Sequence, residues 1–303
     1  MPKISLVIPT FQREKTLETL LGQLSEQPTL PNEVIVVDQG AVKDPLPILT
    51  PLLDHGVSCS YIFSRYPAPG SSRNVGIHAA THPVILFIDD DIELLTDLVA
   101  IHSRYYEEEP ELGGVGGHIV PKDGYSKEYE SWNTFKPTGK YLNVCRGANM
   151  SFRRDVLNKV GGFNAFLRIA GEEGELCHRI IKSGYRVRNG EEAVVAHLSE
   201  LGGIRSWSEY HAGMGKIRDW IICAGVRRTP WCAVFWPLKH WRLIWNVIRI
   251  APSLPDGLKT AAYQYLWGLR LGSTAKRTPD FLPMSLGLAR GEVVDEHSRL
   301  PKA

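Results

Sequence analysis

The sequence predicts an α/β protein with a mostly parallel central sheet flanked by helices. Three observations carry that prediction. Residues 4–8, 33–37 and 84–88 are short apolar runs rich in β-branched residues, the pattern of strands buried on both faces. Stretches with apolar residues at helical spacing lie between them, and such alternation implies parallel strands joined by crossover helices. The composition, 43% hydrophobic and 22% charged over 303 residues, is that of a globular chain with one large core or one domain plus an appendage.

In order along the chain, Ile4-Ser5-Leu6-Val7-Ile8 forms a first strand closed by Pro9. Residues 15–27 carry Leu17, Leu20, Leu21 and Leu24 on one helical face. The strand over 33–37 stops at Asp38-Gln39-Gly40, and residues 61–63 form a weak third strand. A helix over 71–80 is entered through Pro69-Gly70, and 84–88 is the next strong strand. The run Gly113-Gly114-Val115-Gly116-Gly117 reads as a strand passing close to other backbone, with a bend or bulge. A helix over 155–160 follows Arg146–Arg154, a second begins at Gly171-Glu172-Glu173, and Ala193–Ala196 is a short strand before His197.

The junction at residue 89 carries the most chemistry. A strand buried on both faces runs straight into Asp89, Asp90 and Asp91. Three adjacent carboxylates repel one another and are costly to desolvate. A hard cation such as Mg²⁺ or Mn²⁺ resolves that conflict, because it takes oxygen ligands and keeps phosphate oxygens in its shell. Ligands of open α/β sheets also bind beyond the carboxyl ends of the strands. The plainer alternative is a solvated acidic turn in which Asp91 or Thr96 caps the next helix. Glu172, Glu173 and Glu175 stand near a helix N-terminus, where acids are favoured whether or not one of them is a general base. His197 ends a strand and reads as a packed residue or as a metal ligand. No G-x-G-x-x-G follows the first strand and no G-x-x-x-x-G-K-[ST] occurs, which excludes those dinucleotide and P-loop motifs. The cysteines (59, 145, 177, 223, 232) have no C-x-x-C spacing and fit a reducing compartment.

Charge divides the chain. Residues 1–204 carry a net −6 and residues 205–303 a net +8, and seven of the eight Trp lie after residue 204. Within 236–250, Lys239, Arg242, Asn246 and Arg249 line one helical face, while Trp241, Ile244, Trp245 and Ile248 line another. Cations opposite Trp and aliphatics suit the headgroup region of an anionic membrane; a helical subdomain packed on the sheet is the alternative. The N-terminus lacks the long apolar run of a signal peptide, and no uncharged apolar stretch reaches the ~20 residues of a spanning helix.

Six segments together resemble the family 2 glycosyltransferases of the GT-A fold. The stretch Ile4-Ser5-Leu6-Val7-Ile8-Pro9-Thr10-Phe11-Gln12-Arg13 is similar to the family's opening strand and loop. Val34–Gly40 is similar to a second strand that normally ends V-V-D-D-G-S; Gln39 and Ala41 depart from that pattern and Asp38 keeps it. Pro69–Gly76 resembles the A-R-N-x-G helix entry, and Phe87-Ile88-Asp89-Asp90-Asp91 resembles the D-x-D motif. Gly147–Arg153 and Gly161-Gly162-Phe163 are typical of the acceptor half. The resemblance implies a GT-A catalytic domain over 1–204 and says little about the basic, Trp-rich helical extension over 205–303.

The same resemblance implies roles. Pro9, Thr10 and Asp38 meet the donor base, usually uracil. Arg13 and Arg73 lie near the nucleotide and diphosphate, with Asp89 on the ribose side and Asp90 beside it. Asp91 binds the metal, Mn²⁺ or Mg²⁺, and His197 matches a second ligand position. Glu173, with Glu172 beside it, stands where the family has its G-E-D base, a Glu in place of the usual Asp. The expected activity is metal-dependent inverting transfer of one sugar from a nucleotide-sugar, with UDP as the nucleotide, to a lipid-linked or cell-surface glycan. The expected location is cytoplasmic, peripheral at the inner face of the membrane through residues 230–250, with no nucleic-acid partner. A non-catalytic carbohydrate- or nucleotide-binding protein of the same fold, and a sugar nucleotidyltransferase, are the competing readings. The second lacks the Gly-rich loop it would need after the first strand.

Overall fold

The strands are β1 (Ile4–Thr10), β2 (Glu33–Asp38), β3 (Ser58–Phe63), β4 (Val84–Ile88), β5 (Ile92–Leu94), β6 (Leu112–Pro121), β7 (Asn149–Arg153) and β8 (Arg186–His197). The helices are α1 (Glu14–Ser25), α2 (Leu46–Asp54), α3 (Pro69–Ala79), α4 (Leu98–Glu108), α5 (Arg154–Val160) and α6 (Glu172–Lys182). The structure is a computed structural model that describes residues 1–40, 44–64, 69–121, 139–164 and 171–198, with scattered positions between 241 and 262. One eight-stranded sheet runs β3-β2-β1-β4-β7-β6-β8-β5. β1 to β4 lie parallel in the order 3-2-1-4, β7 is antiparallel to both β4 and β6, β6 is parallel to β8, and β5 closes antiparallel on β8.

Period-two alternation builds the two cores. Ile4, Leu6 and Ile8 face one side with Val34, Val36, Leu86 and Ile88, under Leu17, Leu20, Leu21 and Leu24 of α1 and Ile48, Leu49 and Leu52 of α2. Val7, Ile35, Val37, Ile85 and Phe87 face the other side, under Val75 and Ile77 of α3, Val156 and Leu157 of α5, and Leu176 and Ile180 of α6. With both faces covered, the middles of the strands are apolar on both sides, each such side chain contributing about 1.5–3 kcal/mol, and the buried polar exceptions are hydrogen-bonded, as Ser5 is to Glu33. Helix α3 lies flat on β1 because Gly76 has no side chain; a Cβ there would sit 2.3 Å from Val7 Cγ1.

Two elements differ from the sequence reading. α2 forms despite Pro47 and Pro51, since Pro47 stands in the first turn and the apolar face of the helix is buried. The acidic turn does not cap the following helix through Asp91 or Thr96. Asp97 does so, its Oδ1 accepting from Ala100 N at 3.3 Å. The glycine run of β6 does pass close to other groups: Cβ atoms at Gly113, Gly114, Gly116 and Gly117 would meet Tyr185, Phe152, Leu142 and Asn149 at 2.2–2.7 Å. The division at residue 204 and most of the basic helical face lie outside the described residues. Trp241 and Trp245 are helical and exposed, as are Leu254 and Leu258. Among the described residues no helix is long and apolar enough to cross a membrane.

Candidate active site

The carboxyl ends of β2, β1 and β4 stand side by side, and the predicted residues line them. Register pairs Thr10 with Asp38, and Thr10 Oγ1 donates to Asp90 Oδ2 at 2.6 Å. Asp38 is buried; its Oδ1 accepts from Gly40 N at 2.7 Å and its Oδ2 from Tyr61 Oη at 2.7 Å. The loop after β1 turns at Gln12, whose φ is 54°, a left-handed conformation uncommon for a side-chain-bearing residue. A Cβ on Gly40 would lie 2.7 Å from Gln12 N, so glycine there lets the loop close over the end of β2. The loop delivers Arg13, which donates from Nη1 to Asp90 Oδ1 at 3.0 Å and to Asp91 Oδ2 at 2.6 Å.

The three acids therefore have three different surroundings. Asp90 is buried against Thr10 and Arg13, and burial raises its pKa to about 6. Asp91 reaches Arg13 on one side and His197 Nε2 on the other, at 3.5 Å from its Oδ1. Asp89 accepts from Arg73 Nη2 at 3.0 Å. His197 is brought in by β8, since Ile92 just past the acidic turn pairs with His197 and Leu198 N donates to Asp91 O at 2.9 Å. One ligand atom each from Asp89, Asp91 and His197 lies within 4.8 Å of the others. Two carboxylates and an imidazole suit a small divalent cation that accepts oxygen and nitrogen ligands, so these residues fit Mn²⁺ or Mg²⁺.

Arg73 connects this cluster to a second one. It is buried on α3, with its guanidinium 5.6 Å from the centre of the Phe163 ring. Nη1 donates to Glu172 Oε1 at 2.9 Å and lies 3.6 Å from Glu173 Oε1, while Nη2 holds Asp89. The Asn74 amide clamps the Phe163 backbone, donating to its O at 2.8 Å and accepting from its N at 2.7 Å. Glu172 Oε2 is buried without a hydrogen-bond partner, an unmet acceptor capacity beside Arg73. The side chain of Glu173 is 19% exposed. Burial, with Glu172 adding to it, pushes the Glu173 pKa up to about 7. The third first-turn acid does something else: Glu175 pairs bidentately with Arg179, which also donates to Gly162 O at 2.6 Å. Gly147 lies against both partners of this second cluster, for a Cβ there would meet Arg73 Nη2 at 2.3 Å and Glu173 Oε1 at 2.6 Å.

Asp89, Asp90, Asp91, His197, Arg13, Arg73, Glu172 and Glu173 thus form one linked set, with Pro9, Thr10 and Asp38 along the adjoining strand ends. Sequence reasoning missed Tyr61, Phe163 as the bed of Arg73, and Gly147 as the close neighbour of Glu173. The last two lay inside motifs already singled out; nothing marks Tyr61 in a strand as weak as β3.

The family description Glycosyl transferase family 2 matches residues 5–168, and Glycosyl transferase family 21 matches residues 138–212. The O-antigen chain rhamnosyltransferase RfbN of Salmonella typhimurium is 27% identical over 211 residues, which cover 64% of this chain and 66% of that protein. A glucosyl-dolichyl phosphate glucuronosyltransferase of Haloferax volcanii is 27% identical over 219 residues, covering 64% and 69%. This chain therefore spans about two thirds of the length of these relatives. Among solved structures, the mannosyltransferase PcManGT of Pyrobaculum calidifontis, in complex with GDP-Man and Mn²⁺, superimposes with a TM-score of 0.57 at 17% identity, covering 92% of this chain and 76% of that one.

Proposed function

Because the chain belongs to glycosyl transferase family 2 and is a glycosyltransferase of the GT-A fold, we propose that it moves one sugar from a nucleoside-diphosphate donor to a hydroxyl of a lipid-linked or cell-surface glycan. The transfer depends on Mn²⁺ or Mg²⁺ and inverts the anomeric centre. Residues 1–204 form the catalytic domain. Residues 230–250 hold the protein at the cytoplasmic membrane surface, where a lipid-linked acceptor is presented.

The observation that carries the reading is the place of Arg73 between Asp89 and the Glu172–Glu173 pair. It sets a cation-binding pole and a basic pole at one site, as a reaction that expels an anion and removes a proton requires. Asp89, Asp91 and His197 hold the cation, which when bound neutralises charge on the departing diphosphate. Arg13 ties the donor loop to Asp90 and Asp91. Asp38, its carboxylate fixed by Tyr61 and Gly40 at the end of β2, accepts the imide N–H of uracil. Glu173 takes the acceptor hydroxyl's proton as the new C–O bond forms and the bond to the diphosphate breaks, the electron pair leaving with the phosphate oxygen. Arg73 keeps Glu172 and Asp89 in place from inside the protein.

Glu173→Gln tests the reading. Release of nucleoside diphosphate from the sugar nucleotide, with polyprenyl-linked glycans as acceptors, is expected to slow by roughly 10²–10⁴-fold while nucleotide binding is retained. Transfer at the wild-type rate in Glu173→Gln removes this residue as the base.

A further inference from the structure

Asn149 follows Arg146-Gly147-Ala148 in the acceptor-half motif, and it lies fully buried. Its register partner is Ile88, the last residue before Asp89. Its Nδ2 donates to Ala193 O at 2.8 Å and to His118 O at 3.3 Å, and its Oδ1 meets His102 Nε2 at 2.9 Å. Two backbone carbonyls can only accept, so the amide orientation is fixed and His102 donates from Nε2. His102 Nδ1 is then the acceptor of the Ser151 hydroxyl at 2.8 Å, and Ser151 Oγ accepts from Tyr106 Oη at 3.0 Å. The chain Tyr106–Ser151–His102–Asn149 runs in one donor direction and ends on the carbonyls of β6 and β8.

Those carbonyls mark an irregularity. Gly117 pairs with Gly190, but the next residue, His118, pairs with Val194. Glu191, Glu192 and Ala193 have no counterpart on β6, a slip of three residues worth about 10 Å of strand. Helix α4 grips the slip from outside, Arg104 donating to Glu192 Oε2 at 2.6 Å and Tyr105 to Glu192 Oε1 at 3.2 Å. Asn149 grips it from inside through Ala193 O. Beyond the slip β8 resumes its pairing, Pro121 with His197 on one side and Ile92 with His197 on the other. Without the slip His197 would not stand opposite Ile92, one residue past Asp91. Gly117 belongs to the same device, because a Cβ there would lie 2.2 Å from Asn149 Nδ2.

We infer that Asn149, buttressed by His102, is a positioning residue for the cation site: its amide fixes the slip in β8 that delivers His197 to Asp89 and Asp91. The inference rests on the proposed cation role of those three residues. Groups that orient a ligand from behind typically change metal affinity by roughly 10–100-fold when removed.

Mn²⁺ binding to the full chain, read from the loss of the free-Mn²⁺ EPR signal, tests this without turnover. Asn149→Asp keeps the acceptor facing His102 and loses both donations; its Mn²⁺ affinity is expected to fall roughly 10–100-fold. His102→Leu is expected to weaken binding, and His102→Gln, whose amide can donate to Asn149, to restore it. Ser5→Ala, which breaks a buried hydrogen bond to Glu33 at the opposite end of the sheet, is expected to lower thermal stability and leave Mn²⁺ affinity unchanged. Wild-type affinity in folded Asn149→Asp, or equal loss in His102→Leu and His102→Gln, overturns the inference while the cation site stands. No Mn²⁺ binding by the wild-type chain overturns both.

Discussion

Glu173 and Asp90 show how one acidic region yields unlike groups. Both have raised pKa values, and burial is the first cause in each case. Asp90 is held by Thr10 and Arg13 and braces the donor loop. Glu173 keeps part of its surface open and feels the neighbouring Glu172, so it is poised to exchange a proton near neutrality. A base works only when ionised. Since the Glu173 pKa is raised to about 7, kcat/KM is expected to fall as pH drops through about 7 and to level off above it. A pH profile of kcat/KM, which reports the free enzyme, checks this; a flat profile between about pH 6 and pH 8 contradicts it. At this scale the sequence was legible where a residue type was unusual for its place. Three acids ending an apolar strand announced themselves, and so did an acid run at a helix start. What could not be read was pairing. The place of Arg73 among Asp89, Glu172 and Glu173 was not legible, since no local spacing relates position 73 to position 172.

At the level of elements, periodicity identified β1, β2, β4 and the Leu face of α1, because a strand covered on both sides or a helix covered on one leaves a direct mark. α2 was hidden by its prolines, and β5, with three residues, is too short to carry a period. The slip in β8 was invisible for a different reason. Glu191 and Glu192 read as ordinary exposed polar residues, and only the carbonyl of Ala193 caught by Asn149 shows why they interrupt the ladder. The glycine run of β6 announced close approach without naming the neighbour. The result is a division of labour: β4 supplies the acids, β8 supplies His197, and α3 and α6 face each other across Arg73.

Across the whole molecule, the charge split at residue 204 separates an acidic part that carries the site from a basic, Trp-rich part. Exposed Trp241 and Trp245, one helical turn apart, sit beside Arg242 and Lys239 in the sequence. Lys and Arg with Trp on a short helix favour the interface of an anionic bilayer. Vesicles of phosphatidylglycerol and phosphatidylcholine are expected to retain the protein at low salt, and Trp241→Ser with Trp245→Ser to weaken that retention. No retention by the anionic vesicles, or retention unchanged in the double variant, contradicts the membrane role.

In the proposed donor site, Asp91 with Asp89 and His197 holds a cation that in turn holds a nucleoside diphosphate. Calorimetric titration of UDP, GDP and dTDP into the wild-type protein and Asp91→Ala, with and without Mn²⁺, tests it most directly. One nucleotide, UDP, is expected to bind in a Mn²⁺-dependent manner, and Asp91→Ala is expected to abolish the binding. Nucleotide binding that is indifferent to Mn²⁺ and to Asp91→Ala, or no binding at all, contradicts it.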